Sequence, residues 1–185
     1  MHPGGRTAEG SPAAPEIRVA AGGPSAQTLE GARRHRRPAH GGTAGGEVIA
    51  YLDSSVVLRV LLGQRGRLKE WKSVREGVAS ALVEVECLRT LDRLRLREAL
   101  EYREFALRRE AVFRLMQEIE LVEPTRSVLT RASQPFPTEL GTLDAIHLAT
   151  AMLWRERGGE DLVMATHDAA LGVAARACGF RVVGS

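Results

Sequence analysis

Aromatic residues make up only 4% of this 185-residue chain, and cysteine occurs twice. With so few rings, the core has to be built from Leu, Val, Ala and Ile. Cys87 and Cys178 stand far apart without a Cys-x-x-Cys neighbour, which excludes a disulfide scaffold and a zinc finger. Reduced, buried thiols in a cytoplasmic protein are the expectation. No apolar run approaches the roughly 20 residues that span a bilayer, and the amino-terminal stretch has no signal-peptide core. Lysine is nearly missing too. Of the 26 basic residues 24 are Arg, which reads as a bias of nucleotide composition rather than selection for phosphate binding. What is present is ordinary for a globular domain: 44% hydrophobic and 26% charged residues.

The net charge of +3 is unevenly placed. Residues 1–46 hold six Arg against three Glu, ten of the 19 Gly, five of the eight Pro and no aromatic residue. Beyond them, 20 basic and 20 acidic side chains cancel. Such a leader buries too little apolar surface to offset its ordering entropy, so residues 1–47 are expected to be disordered. Its cluster Arg33-Arg34-His35-Arg36-Arg37 could lend salt-sensitive affinity for RNA. Alternatively, the leader is upstream sequence read from too early a start. A GTG codon at Val48 would initiate a protein beginning Met-Ile-Ala-Tyr-Leu-Asp. The folded domain is expected over residues 48–185.

From Val48 the texture changes. Val48–Leu52 is a β-prone run, and Asp53-Ser54-Ser55 behind it is a helix N-cap signal. The spacing predicts a helix to Gly63, a polar helix over 67–76 ended by Gly77, and a short strand over 78–80. Helices are then expected over 81–96 and 98–118, a strand over 120–123, and a helix over 126–133. After the Pro135-Phe136-Pro137 loop come a helix over 142–157, a strand over 162–166, a helix over 169–178 and a strand over 180–183. Five short strands alternating with helices argue for an α/β fold, a three-layer α/β/α sandwich on a five-stranded, mainly parallel sheet. In such sheets chemistry gathers beyond the carboxyl ends of the strands.

Asp53 and Asp168 fall at such strand ends, and Asp144 falls in the first turn of its helix. Each alone has a plain explanation in helix capping. Glu84 and Glu86 both lie on the helix after the second strand, and periodicity does not choose between them. Together the acids weigh more. Carboxylates converging on one cleft repel each other and raise each other's pKa, and a hard divalent cation relieves that repulsion. A site of this kind suits phosphoryl transfer. A haloacid-dehalogenase-type phosphatase would need an Asp where Ser55 stands.

Tyr51-Leu52-Asp53-Ser54-Ser55, the Ser80–Glu86 stretch with Arg89 behind it, Thr142-Leu143-Asp144-Ala145-Ile146-His147 and Ala165-Thr166-His167-Asp168-Ala169 resemble the PIN-domain family. The likeness is greatest to the VapC-type ribonuclease toxins. It covers residues 48–185 and none of 1–46. It implies an Mg²⁺- or Mn²⁺-dependent endoribonuclease with Asp53, Glu86, Asp144 and Asp168 as metal-holding, catalytic acids. The family's spacing selects Glu86 over Glu84. The resemblance also implies an RNA substrate, a cognate antitoxin and a homodimer. Ser54 or Ser55, and Thr166, would bond a carboxylate or a metal-bound water. His147 is equally a packed helix residue. Arg59, Arg65, Arg67 and Arg89 are candidates for the rim that attracts RNA. A housekeeping RNA-processing nuclease and a non-catalytic module on the same fold are the alternatives.

Overall fold

A computed structural model describes residues 47–158 and 161–185; the leader and its Arg33–Arg37 cluster lie outside them. The strands β1 (Val48–Leu52), β2 (Val74–Ser80), β3 (Glu120–Val122), β4 (Leu162–Ala165) and β5 (Arg181–Val183) form one sheet in the order β3-β2-β1-β4-β5. All four pairings are parallel. The order runs one way from β1 to β3 and the other way from β1 to β5, so the switch point lies between β1 and β4.

Alternation along the central strand divides the core in two. Ala50 and Leu52 face α1 (Ser54–Leu61), α2 (Leu82–Leu96) and α3 (Tyr102–Glu118), which bury Val56, Val57, Val83, Cys87, Leu91 and Val112 against them. Tyr51 faces the other way, toward Leu148 and Ala151 of α5 (Thr142–Glu156) and Leu171 and Ala174 of α6 (Ala169–Ala177). The short α4 (Arg126–Ala132) packs beside α5. This is the expected three-layer sandwich. Both tryptophans pack, as expected: Trp71 is buried in the first core and Trp154 lies against the second. Among the described residues no helix is long and apolar enough to cross a membrane.

One expected element is wrong. Residues 67–76 do not form a helix ended by Gly77. Only Lys69–Ser73 make a turn of 3₁₀-helix, and β2 then runs from Val74 through Gly77 to Ser80. Gly77 is a slot rather than a stop. A Cβ there would stand 2.7 Å from Ile119 Cγ2 and 2.9 Å from Leu52 Cδ1, so the strand passes its neighbours only without a side chain. A smaller difference lies at Glu98, where the spacing predicts a helix start. It adopts φ 57° behind α2, and α3 begins only at Tyr102.

Candidate active site

The carboxyl ends of β1 and β4 lie side by side, since Leu52 pairs with Ala165. Asp53 follows directly, its N–H donating to the Ala165 carbonyl at 3.1 Å. It is an N-cap, as the plain explanation held, but the cap is the weakest of its bonds. Oδ2 accepts from Ser55 N–H at 3.4 Å, from Ser55 Oγ at 2.5 Å and from Thr166 Oγ1 at 2.9 Å. Asp53 is only 3% exposed, and a carboxylate so placed needs several donors. None of these bonds uses Oδ1.

Thr166 is fully buried and ties two acids together. Its hydroxyl donates to Asp53 and accepts the Asp168 N–H at 2.9 Å. Asp168 caps α6, with Oδ1 accepting from Leu171 N–H at 2.8 Å, and is itself exposed. Ser55, rather than Ser54, carries the hydroxyl role. Its Oγ donates to Asp53 and accepts from His167 N–H at 2.9 Å.

Asp144 sits half-buried in the first turn of α5. Burial pushes its carboxyl above the usual carboxylate range, and the charges of Asp168, Asp53 and Glu86 push it further, against a smaller opposing pull from His147. Asp144 therefore feels the charge of each of the other three acids. Glu86, not Glu84, is the acid of α2 whose charge bears on Asp144. Its Oε2 lies 2.7 Å from His147 Nε2.

His147 is the residue that sequence reasoning underweighted. It is fully buried, with Nε2 on Glu86 and Nδ1 2.9 Å from Tyr51 Oη. Burial alone would lower its pKa. The hydrogen bond and charge of Glu86, with Asp53 and Asp144 behind, outweigh that and hold it above its ordinary value. Tyr51 Oη also accepts Ser80 N–H at 3.1 Å, and burial pushes its hydroxyl far up. A signal for this was available: a tyrosine in an otherwise apolar central strand needs a partner for its hydroxyl.

The Arg candidates are not drawn into the cluster. Arg89 pairs with Asp92 at 3.2 Å on the exposed side of α2. Arg59 lies against Gly66 in the turn after α1, while Arg65 and Arg67 are exposed on that connection. A cavity of about 770 Å³ opens at the opposite, amino-terminal end of the sheet, lined among others by Val48, Val74, Leu162 and Arg181. It holds none of the four acids, and the fold's chemistry belongs at the other end.

The cluster's donors are carboxylate oxygens, the set preferred by hard cations such as Mg²⁺. Among the described residues no three His, Cys, Asp or Glu side chains stand close enough together to hold a metal ion between them.

The family model described as PIN domain matches residues 50–176, a span that includes all four acids. Ribonuclease VapC46 of Mycobacterium tuberculosis is 34% identical over 137 residues, covering 72% of this chain and 95% of that protein. Two solved structures are more distant. A chain of a toxin–antitoxin complex from Klebsiella pneumoniae has a TM-score of 0.47 at 15% identity, covering 66% of this chain and 87% of its own. PAE2754 from Pyrobaculum aerophilum has a TM-score of 0.42 at 18% identity, covering 76% and 92%.

Proposed function

The chain belongs to the PIN-domain family, and from that premise we propose that it is a metal-dependent endoribonuclease, the toxin of a type II toxin–antitoxin pair. The observation that supports this reading is the Thr166 bridge between Asp53 and Asp168 beyond the carboxyl ends of β1 and β4, with the charges of both and of Glu86 bearing on Asp144, inside the span that matches the family. Likeness to a protein named as a ribonuclease supports the substrate class.

Asp53, Glu86, Asp144 and Asp168 are the residues that would hold Mg²⁺ or Mn²⁺. The bound cation would supply a nucleophilic hydroxide at neutral pH and neutralise charge on the scissile phosphate. The chain's own residues prepare that chemistry. Thr166 and Ser55 occupy Asp53 Oδ2, which leaves Oδ1 free of these bonds. Leu171 N–H fixes Asp168 through Oδ1, leaving its other oxygen outside that bond. Asp144, raised by burial and by the charges of its acidic neighbours, would be relieved by a bound cation.

A cognate antitoxin that buries the cleft and a homodimer of the toxin complete the reading. The test is direct: incubate the protein with RNA and Mg²⁺ or Mn²⁺, map the cleaved ends, and repeat with chelator. Metal-dependent internal cleavage that Asp53→Asn abolishes is the expected result; cleavage that persists in Asp53→Asn would overturn the proposal.

A further inference from the structure

Glu86 is held differently from its neighbours. Asp53 is gripped by two hydroxyls and Asp168 by a backbone N–H. Glu86 stands on the second turn of α2 at the end of a longer side chain, which has more rotamer freedom to lose. Among the described residues its one hydrogen-bond partner is His147. That partner is immobile. The ring is fully buried, and its far nitrogen meets Tyr51 Oη, itself anchored by Ser80 N–H. Because Nε2 faces a carboxylate, it carries a proton whether the ring is neutral or charged. The contact to Oε2 is therefore a donor–acceptor pair in either state, and Oε1 is left unclaimed.

His147 also shares a face of α5 with Asp144, one turn away. The chain Ser80–Tyr51–His147–Glu86 thus crosses from β2 through β1 and α5 to α2, and links the one acid on a long side chain to the centre of the sheet. We infer that His147 is the positioning residue for Glu86, holding its carboxylate on the cluster for the cation, with Tyr51 fixing the ring. This rests on the reading of Glu86 as a metal-holding acid. Groups that orient metal-ligating side chains in this way typically matter by about 10- to 100-fold in metal affinity or activity.

The test measures Mn²⁺ binding to the full-length protein without RNA, by electron paramagnetic resonance of the free ion, beside the Mg²⁺ dependence of cleavage. His147→Leu should weaken Mn²⁺ binding about 10- to 100-fold and raise the Mg²⁺ needed for half-maximal cleavage in parallel. His147→Gln, which keeps an N–H near the Nε2 position, should stay within about threefold of wild type, and Tyr51→Phe should fall between the two. In a Glu86→Gln background, His147→Leu should cost nothing further, because the two residues act as one unit. Equal losses in both backgrounds, or unchanged Mn²⁺ affinity in His147→Leu, overturn the inference alone. If His147→Leu fails to fold, the Gln and Phe variants carry the test: a Tyr51→Phe protein that binds Mn²⁺ like wild type, beside a His147→Gln that does not, overturns it. A wild-type protein that neither binds Mn²⁺ nor cleaves RNA overturns the functional reading and this inference with it.

Discussion

Thr166 Oγ1 lies 2.9 Å from Asp53 Oδ2, joining residues 113 apart in sequence across the switch point of the sheet. The same oxygen accepts the Asp168 N–H, so one buried hydroxyl sets the spacing of two acids. Thr166→Val keeps the shape but removes both bonds. It should cost roughly 1.5–3 kcal/mol, as for a lost hydrogen bond to a charged group, and depress cleavage; Thr166→Ser should recover most of each. Urea melts and cleavage rates of the two variants check this.

Asp53→Asn, Asp144→Asn and Asp168→Asn should each lower the cleavage rate by on the order of 10²-fold or more while the fold persists. Circular dichroism beside single-turnover rates distinguishes lost chemistry from lost structure.

The metal-free protein should show the raised Asp144 carboxyl as a pH dependence of stability. Asp144 holds its proton to higher pH folded than unfolded, where its value is 3.8. Its contribution to stability is therefore full below pH 3.8 and is lost as pH rises through the higher folded value. Asp144→Asn carries no such loss. In chelator, the variant should gain on wild type as pH climbs through that window, with the gap then constant. A flat difference between the two urea-melt series would show that burial and the neighbouring carboxylates do not raise Asp144.

Glu84 and Glu86 make the sharpest pair. Glu86→Gln should be inactive with the fold intact, and Glu84→Gln should cleave like wild type. The reverse result would show that the acid cluster draws on the other face of α2.

Gly77→Ala tests the slot in β2. Its Cβ would fall 2.7 Å from Ile119 Cγ2 and 2.9 Å from Leu52 Cδ1, and overpacking of this kind costs about 1–3 kcal/mol. Chemical denaturation should register the loss, with cleavage by the folded fraction unchanged.

These residues also mark where the sequence is legible and where it is not. Asp53 and Asp168 are readable because a strand end followed by an N-cap is a local pattern, and both do cap. Five strands with helices between them made the layers readable as well. The start of β2 is not readable, for a physical reason. Val74 to Gly77 pair with β1 alone, since β3 joins only from Val78 onward, and edge-like segments tolerate charge. Between the Val48–Val74 and Ile49–Glu76 pairs the register shifts, which leaves Arg75 extra and exposed. A strand opening with two charges and a bulge has lost the alternation that identifies it. His147 was ambiguous for another reason. Its meaning depends on partners 96 and 61 residues away, and no local pattern records them.

The pairing of β1 with β4 has a consequence in time. Leu52 meets Ala165 only after nearly the whole chain exists, and closing so long a loop is among the slower steps of assembly. A chain still being synthesised carries Asp53 and Glu86 early, yet it lacks the strand that brings Thr166 and Asp168 beside them. The penultimate strand therefore completes the group, and Asp53 and Asp168 cannot share the Thr166 hydroxyl until it has been made.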